Sequence, residues 1–139
     1  MKVHTLLKIA AVELAAIGAI SLVAPQAGSS GLGVPLSPFD TFVARSLGVL
    51  LLTLAAVNWT VGRERGRPLL RAIASVNIFM NVALGTIDIL AILDGTIGPG
   101  GWPGIVIHIA FAAGFLYLIV PARLTFAVGA GALDADADA

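Results

Sequence analysis

The chain contains no cysteine, which excludes disulfides, thiolate-held metals and iron–sulfur clusters. Charge is scarce too. Asp, Glu, Lys and Arg together make up 12% of the residues, about half the ~25% of an ordinary soluble domain. No basic cluster with interleaved aromatics occurs, which argues against nucleic acid as a partner. Also missing are a Gly-rich phosphate loop, a His-x-x-x-His pair and a Ser/His/Asp set. Gly98-Pro-Gly-Gly101 reads as a turn, not a nucleotide site. No catalytic motif is left, and no metal site is expected. What the sequence does have is apolarity: 58% of its 139 residues are hydrophobic and mean hydropathy is +1.00. That places it among integral membrane proteins, with a length that suits one domain.

Four apolar stretches, at about residues 3–24, 38–61, 68–93 and 103–128, predict an all-α bundle of four transmembrane helices. The first could be mistaken for a secretory signal, with Lys2 in front and Ala27 behind. It is too long for one, Glu13 interrupts it, and Pro25-Gln26 makes a poor small-x-small cleavage site, so it is read as a retained span. Its Ala10, Ala11, Ala15, Ala16, Gly18 and Ala19 suit close helix approach. Residues 25–38 carry three prolines, three glycines and no charge, which predicts a loop without regular structure. Ser37 suits an N-cap and Pro38 the first position of the second span. Asn58-Trp59-Thr60 and Gly62 read as the interfacial girdle that ends it, and Pro68 as the start of the third span. The third span ends near Leu93, and Asp94–Pro103 is a connection. Pro121 predicts a kink or an early end near Ala122-Arg123. Residues 129–139 form a small, acidic tail expected to be disordered. Phe39, Trp59 and Trp102 read as interface anchors.

Basic residues set the orientation. Lys2, Lys8, Arg63, Arg65, Arg67, Arg71 and Arg123 all fall on one side of a four-span chain, and the opposite loops carry none. Seven against zero predicts an up-down-up-down bundle with both termini cytoplasmic, in the inner (cytoplasmic) membrane.

Polar residues inside the spans are the candidate site. At about 100° per residue, Asn77, Asn81 and Asp88 fall within roughly 40° of one another, so one stripe of the third span carries all three. Lipid cannot solvate that stripe, and the other helices must cover it. At about 1.5 Å per residue, Arg45, Asp88 and His108 lie roughly 8–11 Å below the outer ends of their spans, and Glu13 nearer ~16 Å. These four, from four helices, form a candidate network that either fixes helix packing or binds a proton, a small polar ligand or a quinone head group. Arg45 and Asp88 are its expected main pair. Asn77, Asn81 and Tyr117 are read as structural hydrogen-bonding residues between helices. His108 could ligate a chlorophyll metal singly. A bis-histidine haem is excluded, because the only other histidine, His4, lies at the opposite face. The preferred reading has His108 bonded to Asp88 or a backbone carbonyl, and no cofactor.

The pattern resembles the small four-span bacterial membrane proteins of the DoxX-like type. The resemblance is carried by Leu22-Val-Ala-Pro25 at the end of the first span and Phe42-Val-Ala-Arg45-Ser-Leu-Gly48 in the second. It continues with Asn58-Trp59 before a basic turn, Gly101-Trp102, and His108 in the fourth span. It covers most of residues 3–120 and transfers no catalytic residues. It implies a link to quinone-coupled sulfur oxidation or an accessory role in a redox complex. Loops this short hold no extramembrane domain for soluble chemistry. The expectation is therefore a small accessory or structural subunit, or a homo-oligomer, whose partners are the bilayer, other membrane subunits or itself. The alternatives are a quinone- or proton-linked redox or transport protein and a single-His pigment-binding subunit.

Overall fold

Prolines and a capping box start every helix but the first. The structure, a computed structural model, describes residues 2–64 and 66–120. The expected break at Pro121, the far end of the fourth span, Arg65 and the tail 129–139 lie outside those residues. Helix α1 runs Val3–Val23, α2 Pro25–Ser30, α3 Pro38–Val61, α4 Arg67–Leu93 and α5 Trp102–Ile119, with a 3-10 turn at Pro99–Gly101 before α5. Four stretches are long and apolar enough to cross a membrane: α1, α3, α4 and Pro99–Ile119. At the start of α3 the Ser37 Oγ accepts from the Asp40 N–H at 3.2 Å while Asp40 Oδ2 accepts from the Ser37 N–H at 3.0 Å. This reciprocal box satisfies two end-of-helix donors at once, and Pro38 sits at a position where its missing N–H costs nothing.

The loop expected over residues 25–38 holds a short helix instead. Pro25 starts α2, and the hydroxyls of Ser29 and Ser30 donate back to the carbonyls of Gln26 and Ala27 at 3.2 and 2.9 Å. Five consecutive residues without proline are enough for one such turn. Gly28 is accommodated within it, and Gly31, Gly33 and Pro35 take effect only after it.

Two antiparallel seams organise the packing. In the first, α1 lies along α3, with His4 and Lys8 beside Gly62 at one end and Gly18 beside Gly48 towards the other. A Cβ built on Gly48 would stand 2.7 Å from the Gly18 carbonyl oxygen and 2.9 Å from the Leu22 nitrogen, so the two backbones touch there. Of the small residues noted in α1, Ala10, Ala11 and Gly18 are buried, whereas Ala16 and Ala19 face outward. In the second seam α4 lies along α5, with Gly85 against His108 and Ile92 against Gly101.

The seams are joined at both ends. Leu6, Leu7 and Ala10 of α1, Val61 of α3, Leu70 and Ala74 of α4 and Phe115 of α5 form one buried cluster. At the opposite end the Gly98 N–H donates to the Leu32 carbonyl at 2.9 Å, and Gly100 lies directly against the Gly31 carbonyl. Trp59, at the end of α3, is covered by Arg63 and Lys8, 5.4 and 5.9 Å from its ring centroid.

Candidate functional site

The polar stripe of α4 is the one that the fold covers. Leu70, Ala74, Asn77, Asn81 and Gly85 are its buried positions. Asn77 is fully buried, and so is Asn58 of α3. Their amides exchange two hydrogen bonds: Asn58 Nδ2 donates to Asn77 Oδ1 at 3.0 Å, and Asn77 Nδ2 donates to Asn58 Oδ1 at 2.9 Å. The second Asn77 N–H reaches the Ile73 carbonyl at 2.9 Å. Reading Asn58 as part of the interfacial girdle is thus corrected. It recurs with Gly48, Ala55 and Val61 at spacings of seven and three, on the face that α3 buries. That spacing was the signal for it, and the exposed neighbours Trp59 and Thr60 obscured it.

One helical turn along, Asn81 Nδ2 donates to the Asn77 carbonyl at 2.8 Å. That bond fixes the amide, so Asn81 Oδ1 is left as the acceptor facing His108 Nδ1 at 2.9 Å. An acceptor there requires a donor, which puts the proton of a neutral imidazole on Nδ1 and leaves a lone pair on Nε2. Nε2 stands 3.6 Å from Asp88 Oδ2, outside direct hydrogen-bond range but within ion-pair range. The track therefore ends at the His108–Asp88 pair. Two glycines make room for it. A Cβ on Gly85 would meet His108 Cβ at 3.3 Å, and one on Gly104 would meet Asp88 Oδ2 at 3.4 Å.

The sequence-derived network is only partly assembled. The structure brings together Asp88, His108, Asn81 and Asn77, and adds Asn58. Arg45 is not among them. The expected Arg45–Asp88 pair is not formed: among the described residues, the one basic side chain within 4.0 Å of a carboxylate is the His108 imidazole, at Asp88. The physical reason is helix pairing, since α3 follows α1 at Gly48 and meets α4 mainly at the Asn58–Asn77 level. Arg45 is instead exposed on α3. Glu13 is half-buried in α1, with Leu6, Ala10 and Ile17 on the same side of the helix. Tyr117, expected to bond between helices near Asn77, is 75% exposed and points away from the bundle.

Beside this track a groove of about 390 Å³ runs between α4 and α5. Asn81 and His108 form its polar floor, and Asp88 does not line it. The Nε2 atom that a pigment metal would need thus faces a carboxylate that lies off the groove. No family model, curated protein or solved structure matches the chain.

Proposed function

We propose that the chain is a small accessory subunit of an inner-membrane complex, of the DoxX-like kind, docking through α3 against another transmembrane helix. The observation that carries this reading is Arg45. It is exposed on α3 seven residues from Pro38, in the apolar span, with no carboxylate within 4.0 Å among the described residues. A guanidinium in hydrocarbon costs at least ~2.5 kcal/mol unless it snorkels or meets an anion. A partner helix offering a carboxylate removes that cost. The rest of α3 agrees, because it is the least buried of the four spans, with 11% of its apolar window buried against 33% in α1. Phe42, Leu47 and Leu50 stand exposed on it. In this reading the bundle is up-down-up-down with both termini cytoplasmic. Support comes from the gathering of Lys8 and Arg63 around Trp59 at one end and of two uncharged backbone segments, at Leu32 and Gly98, at the other.

Site-directed crosslinking tests it in this cysteine-free background. A cysteine at Val49, one turn from Arg45 on the same face of α3, is expected to crosslink stoichiometrically in native membranes, whereas one at Val106, on α5, is not. Arg45→Met should abolish the Val49 crosslink. A single-chain species at both positions, unchanged by Arg45→Met, would overturn the proposal. Crosslinking of two copies of this chain would replace the heteromeric reading by a homo-oligomeric one.

A further inference from the structure

The α4–α5 groove is independent of the α3 face and of the reading placed on it. Its walls are Ile78, Val82 and Ile89 on one side and Ile109, Ala112 and Leu116 on the other. From Ile78 to Ile89 is eleven residues, or ~16 Å of helix, so it is elongated along the bundle axis. Val82 and Ile109 are 56% and 61% exposed, so the mouth opens sideways from the helices. In a bilayer that mouth meets hydrocarbon, and anything that enters must arrive dissolved in lipid.

Three features restrict what fits. The volume lies at the lower end of the range typical of small-molecule sites, roughly 300–1,000 Å³. No charged residue lines the groove, so nothing there would neutralise a phosphate or ammonium head. The floor is polar nonetheless. Thr86 is spent on the Val82 carbonyl at 2.8 Å, but Asn81 uses one amide N–H on Asn77 and keeps a second. A bare hydrocarbon chain filling the groove would leave that second N–H without an acceptor, which is costly where no water can reach it.

We infer that the groove binds a neutral, single-tailed amphiphile whose hydroxyl or carbonyl head accepts a hydrogen bond from Asn81, beside His108, while its tail lies between α4 and α5. The head supplies the acceptor that the second Asn81 N–H lacks. The tail replaces lipid contacts along Ile78, Val82 and Leu116.

Photolabelling of the full chain in phosphatidylcholine nanodiscs tests this. The probe is hexadecanol carrying a mid-chain diazirine. The controls are hexadecane with the same diazirine and a diazirine-bearing phosphatidylcholine. The alcohol is expected to label peptides within 78–89 and 105–116 saturably, to be displaced by unlabelled hexadecanol, and to bind about tenfold tighter than the alkane. Asn81→Leu should erase that preference. Because this change could also disturb folding, Ala112→Phe provides the second arm. It fills the groove wall while leaving Asn81 and His108 themselves unchanged, and should abolish labelling while the protein still elutes as a single species. Equal labelling by alkane and alcohol would overturn the inference, as would preferential labelling by the phospholipid. So would undiminished labelling of Ala112→Phe.

Discussion

Asn58 and Asn77 bury two amides completely and satisfy each with the other, a closed arrangement whose value appears only when half of it is removed. Asn58→Leu or Asn77→Leu alone should destabilise the protein by about 1–2 kcal/mol, because the surviving amide is left buried and unpaired. The double change should recover most of that loss. Thermal unfolding of the three variants in one detergent gives the coupling, and strict additivity would show that the amides act independently. At this scale the sequence was half legible. Helical periodicity alone put Asn77, Asn81 and Asp88 on one stripe, and a polar stripe in an apolar helix has to be covered. Which residues cover it depends on which helix lies next to α4, and periodicity carries no information about neighbours. Hence Arg45, at a depth similar to that of Asp88, was a reasonable partner in one dimension and the wrong one in three. Asn58, hidden beside Trp59, was the right one for Asn77.

The elements were more legible than their contacts. Ser37-Pro38, Pro68 and Trp102-Pro103 mark helix starts that the structure retains, since capping and proline geometry are local. The turn of α2 escaped because glycine and proline content was averaged over fourteen residues instead of the six that form it. The seam of α1 and α3 was legible only as an enrichment in small residues. The fold singles out Gly18 and Gly48, where backbone meets backbone and neither side can yield. Gly48→Ala should therefore force the helices apart and cost about 1–3 kcal/mol. Gly66→Ala, with nothing within 4 Å of its added Cβ, should be close to neutral. Thermal melts of both variants check this, and an unchanged melting temperature for Gly48→Ala would mean that the seam is looser than described.

For the whole molecule, the distribution of basic residues makes the sharpest statement. Cysteines introduced at Ser30 and Gly100 should react with an impermeant maleimide added outside intact cells, and one at Gly66 only after permeabilisation. Outside labelling of position 66 would invert the orientation. The two seams have a consequence for biogenesis. Each joins helices adjacent in the sequence, apart from the short α2, so α1 with α3 and α4 with α5 can each close as soon as its second helix is made. Neither needs the other half of the chain. The connection within each hairpin is short; residues 24–36 carry no charge and residues 94–101 only Asp94, so little would oppose the transfer of either across hydrocarbon. Asn58 and Asn77 then meet only at the second stage, when two finished hairpins dock. Until that moment each asparagine faces lipid without its partner. The docking of the hairpins thus relieves two stranded amides at once.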